Sequence, residues 1–304
     1  MPKLKIKRTD FGWTFSAFAA VGLSGLVINQ VIATQLGITA LGRYNMLLAV
    51  VIIGGQIGVM GIHSSVLFHT PKARSEGNPT SEVLCSGVLA TVLTSTIATS
   101  VIYVGGEIIL RSVGNFYYLD GLRAITVGLF LFPINKTLLA HVNGLQRIPT
   151  FSILFSGRFI LLAASAAVVT YSVDNDQMLP WTITVAEGVI FLGLLFANRS
   201  EITGIAEWRK MHPMFNRHLR YGFRGFLGTT LLDLNTRLDI ILLGLISGTR
   251  SVGVYSIASL FAEGLYQAAT VPRYNFDPVV TSLFVQNKLE KLQETISNNY
   301  DFTL

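Results

Sequence analysis

Eight runs of mostly apolar residues, near 12–34, 45–67, 83–105, 122–143, 151–171, 180–198, 222–246 and 252–272, dominate this chain. A helix that crosses a bilayer needs about 20 such residues. No water in the hydrocarbon core can satisfy a free backbone, so each run must close its hydrogen bonds within itself as a helix. The expectation is an all-α integral membrane protein with about eight transmembrane helices. Composition agrees: the chain is 51% hydrophobic and 13% charged, against about 25% charged in a soluble domain. Mean hydropathy is +0.53. These figures exclude a disordered chain, a nucleic-acid-binding protein and most soluble enzymes. The basic start Lys3, Lys5, Lys7, Arg8 leads into an apolar run too long for a cleavable signal. A lone cysteine, Cys85, forms neither an intrachain disulfide nor a thiolate cluster.

The 23 basic residues set the orientation. With the N-terminus in the cytoplasm of the cell (the cytoplasmic side of the cell membrane), the inside segments hold 14 of them: Lys3, Lys5, Lys7, Arg8, Lys72, Arg74, Arg147, Arg199, Arg209, Lys210, Arg217, Arg220, Lys288 and Lys291. The outside segments hold 4: Arg43, Arg111, Arg123 and Arg250.

One internal repeat is visible. Gly37, Gly42 and Tyr44 follow the first run. Gly248, Gly253 and Tyr255 follow the seventh, at a constant offset of 211 residues. The glycines are expected to turn the chain where a β-carbon would hinder it. An even number of spans between the copies predicts a parallel repeat about an axis along the membrane normal. Two units follow: residues 1–211, a six-helix lobe with its cytoplasmic loop, and 212–304, the first two helices of a second lobe with a cytoplasmic amphipathic segment, Val279 to Ser297, carrying Leu289, Leu292 and Ile296 on one side. Position 304 corresponds to position 93, inside the third span, so the expectation is a C-terminally truncated chain.

Several short motifs carry a family resemblance: Leu234-Asn235-Thr236-Arg237-Leu238-Asp239 in the seventh run, Val252-Gly253-Val254-Tyr255-Ser256-Ile257-Ala258 at the start of the eighth, the Leu36-Gly37 to Gly42-Arg43-Tyr44 turn, and Asn143-Gly144-Leu145-Gln146-Arg147. Together they resemble the polysaccharide flippase branch, which includes O-antigen and exopolysaccharide flippases, of the multidrug/oligosaccharidyl-lipid/polysaccharide exporter superfamily. The resemblance implies a transporter with two lobes and 12 to 14 spans in all. It implies flipping of a polyprenyl-diphosphate-linked oligosaccharide across the cytoplasmic membrane, with membrane lipid, a polysaccharide polymerase and glycosyltransferases as partners and with no cofactor. It favours Asp239 among the polar residues.

Ionisable groups inside spans cost roughly 2.5–3.5 kcal/mol each on insertion scales and mark cavities or pairs. At about 100° per residue, a continuous helix would put Asp233 and Arg237 on one face as an acid-before-base pair. It would put Asn235 and Asp239 on nearly the opposite face. Lys136, Arg158 and Arg237, with Asn235, are the expected substrate-binding set, because bases in a low-dielectric cavity attract a diphosphate. Asp239, Asp233, Glu187 and Glu263 are the expected coupling or polar centre; Glu187 and Glu263 are also candidates for ion pairs with those bases. The stripe Thr91, Ser95, Thr99 and the spacings Gly54-x3-Gly58 and Gly244-x3-Gly248 read as helix-packing surfaces. His63 and His69 read as solvated. No HExxH, GxSxG, Walker A loop or Cys/His cluster is present, so the reading is not an enzyme, with no catalytic residues and no metal. Two alternatives stand beside it. A cation-coupled multidrug exporter of the same superfamily would enclose an acid in the first span, where this chain has Asn29 and Gln30. A non-transporting membrane scaffold or inactive fragment is the other.

Overall fold

A computed structural model describes residues 8–173, 175–202, 208–234 and 237–286, with 288 and 293. Among the described residues the structure is helical with no strand. The helices are α1 (Arg8–Gln35), α2 (Ile38–Val59), α3 (Ile62–Glu76), α4 (Thr80–Ser112), α5 (Phe116–Gly144), α6 (Ile148–Ser172), α7 (Leu179–Ala197), α8 (Arg199–Ile202), α9 (Trp208–Leu234), α10 (Leu238–Ser247) and α11 (Thr249–Val285). A short 3-10 turn, Asp176–Met178, precedes α7. Local sequence sets several ends. The Asn115 side chain accepts a hydrogen bond from the Tyr118 amide and caps α5. Prolines occupy the first turns of α6 and α7, where a missing amide proton costs nothing.

Among the described residues six helices, α1, α2, α4, α5, α6 and α7, are long and apolar enough to cross a membrane. They take up the first six expected spans, with two corrections to the sequence reading. The run at 45–67 is not one helix: α2 stops at Met60, whose φ is 44°, and α3 starts after Gly61. Apolar character continues through the joint, so hydropathy could not detect it. The run at 222–246 is likewise divided between α9, ending at Leu234, and α10, which has only 10 residues and begins after Arg237 at φ −138°. Asp233, Arg237 and Asp239 therefore do not share one continuous helix, and the face assignments based on 100° per residue fail across that stretch. The eighth run lies in α11, whose 37 residues rise about 55 Å, well beyond the ~30 Å hydrocarbon core. The start of the supposed separate amphipathic segment, 279–285, is the end of α11; Leu289, Leu292 and Ile296 lie outside the described residues.

The interior divides into apolar clusters. The largest joins α1, α2, α5, α6 and α7 through Ile32, Leu41, Tyr44, Ile125, Leu129 and Ile183. A second joins α4 to α7 through Leu84, Leu138, Phe151 and Leu194. Thr91 and Ser95 lie fully buried between α4 and α5: Thr91 Oγ1 is 2.9 Å from Thr137 Oγ1, and Ser95 donates to the Phe130 carbonyl at 2.8 Å. The small-residue stripe is thus a packing seam, as its spacing predicts.

The two copies of the repeat meet each other. Gly37 and Gly248 have nearly the same backbone, φ 88° and 81° with ψ 164° and 171°, a region that residues with a β-carbon avoid. α2 and α11 leave these turns and cross at once. A β-carbon on Gly42 would overlap the Thr249 carbonyl oxygen, and one on Gly253 would overlap the Ile38 carbonyl oxygen. Thr249 is the counterpart of Ile38, so the contact is reciprocal, which is the signature of a two-fold relation. Arg43 beside it is held by Asp176 at 3.0 Å and lies over the Tyr117 ring, 4.6 Å from its centroid.

At the opposite end α9 docks on α3 and α4. A β-carbon on Gly222 would overlap the Met60 carbonyl oxygen, so the break between α2 and α3 is the seat on which α9 crosses. Met214, Phe215 and Leu219 cover Ile62, Val66 and Val83 there.

Candidate functional site

The most enclosed charges lie among α5, α6 and α7. Arg158 of α6 and Glu187 of α7 approach to 3.0 Å, with side chains 11% and 3% exposed. Asn135 of α5 donates its Nδ2 protons to Glu187 Oε2 at 2.8 Å and to the Glu187 carbonyl at 2.9 Å. The Phe132 ring lies against the guanidinium, 4.7 Å from centroid to Cζ. Each helix brings its residue inward by ordinary packing: Ile134 and Leu138 bury that side of α5, Leu162 that of α6, and Ile183 and Ile190 that of α7.

The set is charge-balanced and incompletely bonded. Arg158 Nη2 and Asn135 Oδ1 are buried without a hydrogen-bond partner among the described residues. Withdrawing two charges from water is costly, and close pairing with extra hydrogen bonds is what makes it tolerable. Such a group can do one of two things. Protonation of Glu187 would leave the guanidinium in want of an anion, and arrival of an anion at Arg158 would favour a proton on Glu187.

The second polar place is at the start of the second copy. Asp239, in the first turn of α10, accepts a hydrogen bond through Oδ2 from the Tyr255 hydroxyl of α11 and through Oδ1 from the Ile240 amide at 2.8 Å. Tyr255 packs with Ile240, Val252 and Met46. Its role was missed in the sequence, though it is the residue that ends the repeated Gly-x4-Gly-x-Tyr pattern. A helix carrying Asp239 predicts a partner on another element, and the nearest motif residue on the next helix was the available signal.

A third cluster joins α9 to α3 and α4. Ser65 Oγ is 2.8 Å from His218 Nδ1, and His218 Nε2 lies 3.2 Å from the Val83 carbonyl. The carbonyl must accept, so His218 carries its proton on Nε2 and takes the serine hydroxyl at Nδ1. His69 Nδ1 is 2.8 Å from the Ser65 carbonyl. Both rings are buried, which corrects the reading of His69 as solvated. Burial pushes the His218 imidazole down to about 3, with His69 and Arg217 adding to the effect. Burial lowers His69 as well.

Of the expected site residues, the structure thus brings together Arg158 and Glu187. Lys136 is half-buried on α5, one position past Asn135 and turned by about 100° from it. Arg237 lies at the joint before α10, two residues from Asp239. Asp233 falls in α9 and Glu263 in α11, with side chains outside the described part. Asn235 lies outside the described residues altogether. Among the described residues no group of acids, histidines and cysteines has the arrangement to hold a metal ion.

No protein-family model matches the chain. Against solved structures, the MATE multidrug transporter DinF-BH superposes with a TM-score of 0.75 at 14% identity, covering 98% of this chain and 70% of that one. The chain has the MATE transporter fold. An inward-facing MATE family transporter of the MOP superfamily matches at TM-score 0.61 and 14% identity, covering 95% of this chain and 72% of that one. The fold implied by the resemblance read from the short motifs is therefore the fold observed. Among curated proteins, the teichuronic acid biosynthesis protein TuaB of Bacillus subtilis (strain 168) is 26% identical over 162 residues. That match spans 49% of this chain and 29% of TuaB. The reciprocal contact of Gly42 and Gly253 lies between α2 and α11. The structural neighbours are transporters rather than enzymes.

Proposed function

We propose that this chain works in a transporter that flips lipid-linked oligosaccharide, a polyprenyl-diphosphate-linked repeat unit, across the cytoplasmic membrane for polysaccharide biosynthesis. The observation that carries transport is the MATE fold over 98% of the chain, with a balanced ion pair buried among helices apolar enough to span a membrane. The likeness to a teichuronic acid biosynthesis protein supports the sugar-lipid substrate. In this reading residues 1–211 form one lobe and 212–304 open a second, with the N-terminus cytoplasmic and about eight spans in this chain, the seventh interrupted at the joint before α10. Lys136, Arg158, Arg237 and Asn235 receive the anionic headgroup. Glu187 and Asp239, with Asp233 and Glu263, form the coupling centre. The lipid tail stays in the bilayer while the lobes rock about the site.

Export of cationic drugs is the second reading, favoured by the multidrug transporters that share the fold. Against it, α1 has Asp10 as its sole acid, in the first turn. The test is reconstitution of the protein, or of any longer natural product containing it, in proteoliposomes. Fluorescent polyprenyl-diphosphate oligosaccharide should become accessible to a membrane-impermeant reagent only with protein present. Uptake of a cationic dye without lipid flipping would replace the sugar-lipid reading by the drug reading.

A further inference from the structure

Helix α9 has two opposed faces in its first half. Met211, His218 and Gly222 are buried against α3 and α4, with Phe215 beside them. At about 100° per residue these four fall within roughly 60° of one another. Arg217, Arg220 and Arg224 fall on the opposite side and are exposed. None of the three makes an ion pair among the described residues. Tyr221 and Phe223 flank them, 40% and 71% exposed. Lys72 of α3 adds a half-buried ammonium, 3.9 Å from Glu76, and Arg74 is already committed to the Leu145 carbonyl at 2.7 Å.

We infer that this arginine face binds the phosphate headgroups of anionic phospholipid. The docked face fixes the helix on the protein through the Ser65–His218 hydrogen bond and the Gly222 crossing, so the arginines are presented in one direction. Guanidinium forks match phosphate oxygens. Tyrosine beside them is a side chain that settles at headgroup level, and phenylalanine is one that an interfacial helix turns toward the acyl chains. A ring of three cations with aromatic flanks is what an amphipathic element at a charged lipid surface carries. The occupant is the bilayer itself, and anionic lipid would hold α9, the entry to the second copy of the repeat, at a fixed depth. That the surface is the inner leaflet rests on the topology proposed above; the headgroup contact does not.

The experiment labels a single cysteine at Asn216, exposed on the same side, in a Cys85→Ala background. The full chain is placed in phosphatidylcholine nanodiscs with trace spin-labelled phosphatidylglycerol or spin-labelled phosphatidylcholine as quencher. Quenching should favour the phosphatidylglycerol probe by several-fold, fall with added salt, and lose roughly fivefold in preference for each arginine changed to glutamine. R220E should lower the preference further than R220Q, and circular dichroism with thermal melting reports whether the triple variant R217Q/R220Q/R224Q is folded; if it is not, the single variants carry the test. Equal quenching by both probes, or a preference that survives R217Q, R220Q and R224Q, overturns the inference. Quenching by a spin-labelled polyprenyl diphosphate with none by phosphatidylglycerol also overturns it, and would assign the face to the substrate. The assay reads no transport, so its failure and failure of the flippase reading are separate results.

Discussion

The two copies of the repeat share the backbone of their turn, at Gly37 and Gly248, and differ in chemistry beside it. In the first, Tyr44 is fully buried in the large apolar cluster with Leu41, and Ile28 occupies the place that corresponds to Asp239. In the second, Tyr255 donates to Asp239. The turns at Gly37 and Gly248 and the crossing at Gly42 and Gly253 are alike because each copy is packed against the other: any β-carbon at the crossing meets a carbonyl of the opposite copy. Side chains that face away from the crossing are under no such restraint. The first copy has no acid at that place; Glu187, in α7, pairs with Arg158 instead. The second keeps its acid beside the crossing with a neutral partner.

Breaking the closed pair should have the largest effect. Glu187→Gln or Arg158→Ala each leaves one buried polar group unmatched, at about 3–5 kcal/mol, and thermal melting in detergent should fall accordingly. A double replacement by leucines should recover much of that loss, because no charge is then stranded. If both single variants melt with the parent, the pair is not buried as described.

Testing the crossing comes next. Gly42→Ala and Gly253→Ala each force the copies apart at one end, at roughly 1–3 kcal/mol for overpacking. The two changes act on one contact, so the double variant should lose less than the sum. Gly22→Ala in α1, with open space around it, is the control and should be close to neutral. Equal behaviour of all three alanines would remove the reciprocal contact as the cause of the repeat.

The docking of α9 on α3 and α4 should depend on pH. His218 is held near 3 in the fold against about 6.5 when unfolded. A base whose folded value is lowered stabilises fully above the unfolded value, and the contribution is lost as pH falls from 6.5 toward 3, by about 1.4 kcal/mol per unit. His218→Gln should flatten that part of the profile. The same slope in the variant would show that other groups cause it.

The last contrast separates the tyrosines. Tyr255→Phe removes one hydrogen bond to a carboxylate, about 1.5–3 kcal/mol at most and less where water replaces it. Asp239→Asn keeps an acceptor for one of its two donors, the Tyr255 hydroxyl or the Ile240 amide, and removes the charge. In the flipping assay both should impair transport, whereas Tyr44→Phe should not. Normal flipping by Asp239→Asn would take the coupling role away from the second copy and leave it to Glu187.

Much of the molecule was legible from residue order. Apolar length determined that the chain is helical and membrane-embedded, because backbone groups have no partner in hydrocarbon except their own helix. The spacing Gly-x4-Gly-x-Tyr marked the repeat, and the scarcity of charge in the spans put Arg158 and Glu187 among the groups expected to face a cavity or a partner, without pairing them with each other in particular. Tertiary structure decided the rest. The joint at Met60 and the division of the seventh run were invisible to hydropathy, since composition averaged over about 20 residues does not register a change in one or two torsions. Partners remote in sequence were equally hidden: Ser65 and His218 lie 153 residues apart, and nothing in either segment names the other. The glycines of the repeat looked like turn formers. Two of them are that, and the other two are glycine because a second helix backbone occupies the space a β-carbon would need, which only the packing of one copy against the other could impose.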